Sequence, residues 1–190
     1  MKKINGFTLI ELMIVVAIVG IISFIAAPAM RSMISNSKNN SVSNQLLIDI
    51  MYTRSIAITN KRNALMIPLD PTLGTGNLTL GTASPGVNWA RGWRIVDAAS
   101  PLDTLRRQES FGSPNPLIAI DPQIRSVDAA NVLDLSKPIE FNPAGFSVRQ
   151  GTLQVAVLGC AGDSARQLQI NRIGQVIRTD ILCPAGFAAQ

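Results

Sequence analysis

The segment from Phe7 to Ala27 constrains this chain most, because Glu11 is its only ionisable side chain. About 20 apolar residues in a helix can cross the roughly 30 Å hydrocarbon core of a bilayer. Lys2 and Lys3 precede the segment, and basic residues beside a span stay preferentially on the cytoplasmic side. The sequence therefore predicts a single membrane span with the N-terminus on the cytoplasmic side and the chain after Ala27 facing the periplasm or the exterior.

This apolar segment differs from a secretory signal peptide. It is longer than the usual apolar region of such a peptide, and its polar break, Asn5-Gly6, precedes the apolar run instead of following it. We expect residues 7–27 to remain in the mature protein.

The apolar pattern becomes one-sided after Pro28. Apolar residues then recur every three or four positions, which is typical of an amphipathic helix. The sequence predicts one helix from Phe7 to about Asn60, with residues 28–60 as its amphipathic half. The Ser- and Asn-rich run from Ser35 to Asn44 has poor helix propensity and could form a mobile joint. The apolar positions after Pro28 are Met30, Met33, Ile34, Val42, Leu46, Ile50, Ala57 and Ile58.

Residues 61–190 change to short apolar runs separated by turn residues, a pattern that predicts strands. Two hairpins are expected to turn at Asn142–Gly145 and at Asn171–Gly174, where Asn, Pro and Gly supply the angles that tight turns need. The stretch from Ser100 to Lys137 has weak periodicity and is predicted as a loop-rich insertion. The predicted strands are 64–69, 77–80, 93–96, 117–120, 139–141, 146–149, 153–158, 167–170 and 175–178. The expected fold class is α+β, with a long N-terminal helix packed on a C-terminal antiparallel β-sheet domain.

Cys160 and Cys183 are the two cysteines of the chain. In an oxidising compartment an isolated pair is more often a disulfide than a metal site, so we predict a bridge. It would close a loop of about 24 residues around the last hairpin, worth roughly 3 kcal/mol on the chain-entropy model.

The sequence argues against an enzyme. It contains no His, no Gly-x-Ser-x-Gly motif, no phosphate-binding Gly-rich loop and no cluster of metal-ligating residues. We predict no catalytic residue, no cofactor and no metal site. Trp89 and Trp93, with Arg91 and Arg94 nearby, could line a ligand groove, but an aromatic at the start of a strand favours the core.

The N-terminal stretch from Lys2 to Leu12 resembles the class III signal of type IV prepilins, which has a short basic leader, Gly, Phe and a Glu five positions into the mature chain. The resemblance implies cleavage by a prepilin peptidase after Gly6, so that residues 1–6 are a leader peptide, and N-methylation of Phe7. It also implies that Glu11 contacts a neighbouring subunit during assembly. Because a carboxylate within a membrane span costs roughly 2.5–3.5 kcal/mol on insertion scales, Glu11 needs such a partner, unless it only reaches to the interface.

Internal motifs indicate which family of pilin-like proteins the chain resembles. The helix end from Leu46 to Ile58, Gly92-Trp93 and the run Phe141–Gly145 are similar to patterns of GspH/FimT-type proteins. The resemblance implies a type IV pilin fold and a minor pilin of a type IV pilus, which joins other minor pilins at or near the tip to initiate assembly. An H-type minor pseudopilin of a type II secretion system is the alternative. After storage in the inner membrane, either would enter a pilus or pseudopilus, periplasmic or at the cell surface.

Some FimT-type minor pilins bind DNA through a Gly-Arg-x-Arg motif near the C-terminus. Here the corresponding stretch is Gly174-Gln175-Val176-Ile177-Arg178, in which Gln175 replaces the first arginine and Arg178 falls one place late. A small phosphate-contacting patch remains a second alternative, although acidic residues lie among its members and a solvated polar face explains them equally. The candidate DNA-binding residues are Arg149, Arg166, Arg172 and Arg178.

Overall fold

The computed structural model describes residues 8–69, 89, 92–111, 122–126, 138–157, 160 and 162–184. Within these ranges only the backbone is described at positions 25–29, 31, 32, 122, 123, 125 and 126. The strands predicted at 77–80 and 117–120 lie outside the described residues. The chain divides into two compact units, Met1–Ile34 and Ser35–Gln190.

Helix α1 runs from Leu9 to Asn60, which confirms the predicted single long helix. It ends in a left-handed cap, because Lys61 adopts φ 54° and the Arg62 amide reaches back to the Ala57 carbonyl at 3.2 Å. Over the ranges given above, no helix combines the length and apolarity that crossing a membrane requires.

The second part of α1 packs its buried apolar residues Val42, Leu46 and Ile50 into the core of the second unit. The Ser- and Asn-rich run is helical throughout, so its poor propensity does not interrupt the helix. Tertiary contacts compensate there: Asn39 is fully buried, and its amide nitrogen donates to the Ser164 carbonyl at 2.8 Å.

Eight described strands form two antiparallel four-stranded sheets, as predicted for the globular part. Sheet A has the order β3-β2-β1-β5, and sheet B has the order β4-β6-β7-β8. The strands are β1 (Ala64–Pro68), β2 (Trp93–Asp97), β3 (Ser100–Gln108), β4 (Pro122–Ser126), β5 (Ile139–Phe141), β6 (Gly151–Val157), β7 (Ala165–Ile170) and β8 (Val176–Ile181).

Two sequence predictions for this region are wrong. The stretch predicted as loop-rich contains β3 and β4. β3 shows no alternation of apolar and polar residues because it is an edge strand with most residues exposed on both faces. The strand predicted at 146–149 is only an isolated bridge between Ser147 and Phe141. Its amides bond in different directions, Ser147 to the Arg172 carbonyl and Val148 to the Glu140 carbonyl, so no regular ladder forms.

One apolar core joins α1 to both sheets, since its buried cluster takes residues from the helix, from β1, β2 and β5, and from β4, β6 and β7. Trp89 and Trp93 are fully buried within it, with ring centroids 6.5 Å apart, and Trp93 also stacks on Phe111 at 5.4 Å. The interpretation of both tryptophans as core residues is confirmed.

Both predicted turns are present. Gly145 donates its amide to the Asn142 carbonyl at 2.8 Å, and Gly174 donates to the Asn171 carbonyl at 3.0 Å. Each asparagine side chain also accepts backbone amides within its own turn, which is the usual reason for Asn at such positions. The second turn connects β7 to β8 as a hairpin.

Candidate functional site

The start of α1 is a capping box built from Thr8 and Glu11. The Glu11 Oε2 atom accepts the Thr8 amide at 2.9 Å and the Thr8 hydroxyl at 2.8 Å, while the Glu11 amide faces the Thr8 Oγ1 atom at 3.4 Å. The pair satisfies two backbone donors that every helix start leaves free. The carboxylate that the sequence assigns to assembly therefore also defines where the helix begins.

The first unit exposes apolar side chains around the whole helix. A helix that is apolar on every side needs lipid or other apolar helices around it. Gly6 and Phe7, the predicted cleavage and methylation positions, lie outside the described residues. The exposed large apolar residues that follow them are Leu9, Ile10, Leu12, Met13, Ile14, Val15, Val16, Ile18, Val19, Ile21, Ile22 and Phe24.

Two of the candidate DNA-binding arginines bind the helix of their own chain. Arg166 is buried; its Nε atom lies 2.9 Å from the Asn40 Oδ1 atom and 3.2 Å from the Asp180 carboxylate. Arg178 donates to the side chain of Asn44, one helical turn further along α1. Both arginines thus attach sheet B to the helix.

The other two arginines differ in their freedom to contact a ligand. Arg149 is half-buried and donates to the Pro138 carbonyl at 2.9 Å. Arg172 is exposed, and in the described part of the chain its guanidinium makes no hydrogen bond or ion pair. With three of the four arginines engaged internally, this arrangement lends no support to a phosphate-contacting patch, and DNA binding stays a prediction.

Cys160 and Cys183 form a disulfide, with their Cα atoms 5.8 Å apart. It packs with Ala156, Ala165 and Ile181 in a small apolar cluster separate from the main core. The bridge fixes the chain that follows β8 to the connection between β6 and β7. This is the pairing that the sequence predicts.

A buried carboxylate, Asp49, was not found by sequence reasoning. It is fully buried in α1, where its Oδ2 atom accepts the Trp93 indole N–H at 2.7 Å and the Gln45 amide at 3.0 Å. The Arg106 Nε atom lies 2.9 Å from the Asp49 Oδ1 atom, so the two side chains form an ion pair. The angle of this contact is not that of a hydrogen bond. The Arg106 guanidinium also lies over the Tyr52 ring at 5.3 Å. An Asp at a core position of the helical pattern is the signal that could have revealed this network.

Among the described residues, Arg94 is a charged side chain that is buried with two nitrogen atoms lacking hydrogen-bond partners. It is buried on β2, and its Nε and Nη2 atoms have no hydrogen-bond partner in the described structure. Burial, and secondarily the charge of Arg107 directly opposite on β3, lowers the pKa of the Arg94 guanidinium below its ordinary value. Such a group costs stability, since like charges opposite each other on a sheet repel.

Arg54 joins the two turns to the helix. Its Nε atom donates to the Gly145 carbonyl at 2.9 Å, and its Nη2 atom donates to the Ile173 carbonyl at 3.3 Å. The packing leaves no room for a side chain at Gly174, because its Cβ atom would lie 2.2 Å from the Gly145 carbonyl oxygen, whereas at Gly145 a Cβ atom would meet the Ile58 side chain at 2.7 Å. Arg54 and the glycines therefore hold both turns as one preformed surface.

Both the N-terminal and the C-terminal part of the chain match models of known protein families. Residues 1–27 match the model of the prokaryotic N-terminal methylation motif, and residues 42–174 match the model of the type II transport protein GspH. The chain belongs to the GspH family. Pilin and pseudopilin families consist of structural proteins, which agrees with the absence of enzyme motifs in the sequence.

Type IV pilins are among the proteins to which this GspH-family chain is similar. A type IV major alpha-pilin of Moraxella bovis is 54% identical over 46 residues, which is 24% of this chain and 29% of that pilin. Two crystal structures of the type IV minor pilin FimU of Pseudomonas aeruginosa are similar in fold, with TM-scores of 0.52 and 0.51. Their sequences are 19% and 18% identical to this chain. The matched regions cover 81% and 80% of this chain and 94% and 97% of the two FimU chains. The type IV pilin fold predicted from the sequence is confirmed.

Proposed function

We propose that this chain is a minor pilin of a type IV pilus, which a prepilin peptidase cleaves after Gly6 and which is then N-methylated at Phe7. It is incorporated at or near the pilus tip, where it initiates assembly with other minor pilins. The match to the methylation motif and the similarity in fold to FimU, a type IV minor pilin, support this proposal.

The observation that carries the proposal is the apolar start of α1, with a single carboxylate in its first turn. Burying an exposed large apolar side chain contributes about 1.5–3 kcal/mol. The 12 exposed apolar residues from Leu9 to Phe24 are between 50% and 86% exposed, so burying their accessible part in lipid or in a helical bundle would contribute roughly 10–20 kcal/mol in total. Such a segment is suited to storage in the inner membrane and to later transfer into the core of a fibre.

The proposed organisation follows from this role. Residues 1–6 are the leader, 7–27 the single membrane span with its N-terminus inside, 28–60 the amphipathic half of the helix, and 61–190 the globular domain on the periplasmic side. After assembly the protein lies in the fibre, with other pilins as its partners through the N-terminal helix.

Glu11 has two roles that substitution can separate. In the capping box its Oε2 atom is used, and within the described residues its Oε1 atom has no partner. We propose that a neighbouring subunit supplies a cationic partner to this carboxylate, since an acid in an apolar bundle needs one.

Four variants test the proposal in a host that lacks the wild-type gene. Gly6→Ala should leave an unprocessed precursor, whereas Glu11→Gln should be processed normally but fail to support piliation. Thr8→Val is the matched control, because it removes the hydroxyl of the capping box and keeps the carboxylate. Glu11→Gln keeps an acceptor oxygen for the cap and removes the charge. If Thr8→Val also abolishes piliation, the cap is required in its own right. Mature protein of normal size from Gly6→Ala would refute the processing step, and Gly20→Ala should be processed as the wild type is, because nothing in the single chain lies within 4 Å of its added Cβ.

An H-type pseudopilin of a type II secretion system is a second candidate, which the match of residues 42–174 to the type II transport protein GspH favours. The two functions separate in the same host. Loss of the gene should remove surface pili if the first proposal holds, and should stop secretion of type II substrates while leaving pili intact if the second does.

A further inference from the structure

Sheet A carries a buried guanidinium group on the face opposite to the main core. Trp93 and Ile95 of β2 belong to that core, and successive side chains of a strand point to opposite faces, so Arg94 lies on the other face. Arg94 is only 7% exposed, and the paired residues Leu65 and Val96 on the same face are buried too. A charged side chain in such apolar surroundings needs a partner.

The two nitrogen atoms of Arg94 that lack a partner share one edge of the guanidinium group. Nε and Nη2 are both buried, and neither has a hydrogen-bond partner in the described structure. In every arginine the Nε–H bond and one N–H bond of Nη2 point in the same direction, and this edge binds both oxygens of a carboxylate or phosphate. A pair of donors on one edge therefore fits a single ligand with two oxygen atoms.

The charges beside Arg94 indicate which ligand of this kind fits. Arg107 lies directly opposite Arg94 on β3, and residues opposite each other in an antiparallel pair share a face. Glu109 follows this strand, and its carboxylate pairs with the Arg107 Nε atom at 2.7 Å. Two positive charges and one negative charge leave one positive charge uncompensated. A single carboxylate would balance it, whereas a phosphate monoester, with about −1.5 to −2 charges, would exceed it.

Other acidic residues that the structure describes on sheet A do not reach this edge. Glu140 accepts an asparagine side-chain amide at 2.8 Å, and Asp97 accepts a backbone amide at 2.9 Å. Thr104 shares the face of Arg94 through its register with β2, so the adjacent Asp103 points to the opposite face. The carboxylate that would satisfy Arg94 must then come from outside the described part of the chain.

We propose that the Nε and Nη2 edge of Arg94 is a binding site for one carboxylate group. β3 is an edge strand, so Arg94 lies one strand spacing of about 4.8 Å from the open border of the sheet. The carboxylate belongs to a small free acid or to an Asp or Glu side chain of another protein, since both present the same two oxygens. The site lies in the globular unit and is independent of the proposed processing and membrane anchoring.

Formate is the probe for this site, because it is the smallest carboxylate. The full chain in a neutral detergent is unfolded with urea at neutral pH, in sodium formate or in sodium chloride of the same concentration, and tryptophan fluorescence follows the unfolding. Binding to the folded state alone divides the unfolding equilibrium constant by one plus the ratio of the formate concentration to Kd. With about 200 mM formate and a Kd of about 50 mM, we expect about a fivefold fall in that constant.

Three variants make this test specific. Arg94→Met and Arg94→Lys should both lose the formate response, and the lysine separates two-oxygen binding from simple attraction because it keeps the charge without the paired donors. The matched control is Arg107→Met combined with Glu109→Gln, which removes the exposed ion pair as a unit, frees no competing carboxylate and should keep the response. A wild-type response no larger than that of Arg94→Met, a full response in Arg94→Lys, or a lost response in the control would each overturn the proposal.

Photo-cross-linking in membranes of the host separates the two sources of the carboxylate. The full-length chain carries p-benzoylphenylalanine in place of Glu109, beside Arg107. If another protein supplies the carboxylate, irradiation should give an adduct that Arg94→Lys removes, while the same probe in place of Ile177, which is 50% exposed on β8, should be insensitive to that change. A formate response without an adduct that depends on Arg94 assigns the site to a small free acid. The absence of both would overturn the proposal for either source.

Discussion

The Asp49 network predicts an unusual order of stabilities. Replacing Asp49 by Asn keeps an oxygen acceptor for the Trp93 indole N–H, removes the charge and turns the atom that faces Arg106 into an amide NH2 group. Arg106 is 39% exposed, so its freed guanidinium can be hydrated, and we discount most of the lost ion-pair energy for that reason. The free energy of unfolding should fall by about 1 kcal/mol.

Replacing Arg106 by Met has a larger effect, because it leaves a fully buried carboxylate with only two neutral donors, from Trp93 and Gln45. Removing one partner of a buried ion pair costs about 3–5 kcal/mol, and the partial exposure of Arg106 reduces this to roughly 2–4 kcal/mol. Asp49→Ala should lie between the two, since it leaves the Trp93 N–H buried without an acceptor, at about 1–3 kcal/mol.

Tryptophan fluorescence during urea unfolding of the full chain in detergent can measure all three variants. The chain has two tryptophans, and both are fully buried in the second unit, so the signal reports on its core. The double variant Asp49→Asn with Arg106→Met should recover most of the stability that Arg106→Met loses. An Arg106→Met loss smaller than that of Asp49→Asn would refute the idea that a buried charge needs its partner here.

Two further predictions concern the turns and the arginines. Gly174→Ala should lower the free energy of unfolding by at least about 2 kcal/mol more than Gly162→Ala, because both glycines have positive φ but only Gly174 lacks room for a Cβ. Equal losses of unfolding free energy would contradict the packing described for Gly174. In DNA titrations at several salt concentrations, log K should fall against log salt with a slope no steeper than about −1, since Arg172 is the free guanidinium of the four. A slope near −4 would show that Arg149, Arg166 and Arg178 also bind phosphate.

Local patterns predicted the elements that depend on local rules. Helix α1 follows from apolar spacing, and the turns at Asn142 and Asn171 follow from the ability of Asn and Gly to satisfy tight-turn geometry. The disulfide followed from cysteine count and compartment. These features require no knowledge of which strands become neighbours.

Features that depend on neighbours could not be predicted in the same way. β3 carries no alternation because it lies at an edge and is covered on neither face, so its exposed residues look like a loop. Asn39, which is buried within α1, bonds to Ser164, which is distant in sequence. The sequence indicates only the spacing of Arg178 from Gly174 along the chain. In the fold, Arg166 and Arg178 instead contact Asn40 and Asn44 on the helix.

The Asp49 network also opposes sliding of the helix along the sheets. One turn away from Asp49 on either side lie Gln45 and Thr53, so a shift of about 5.4 Å would bring a neutral side chain opposite Arg106 and Trp93. Such a slide would carry the aspartate away from both partners and strand its charge in the core. In the fibre that we propose, a pull on the helix acts along that direction. The buried charge thus gives the helix mechanical resistance to shear that an apolar contact, which can slip between equivalent positions, would lack.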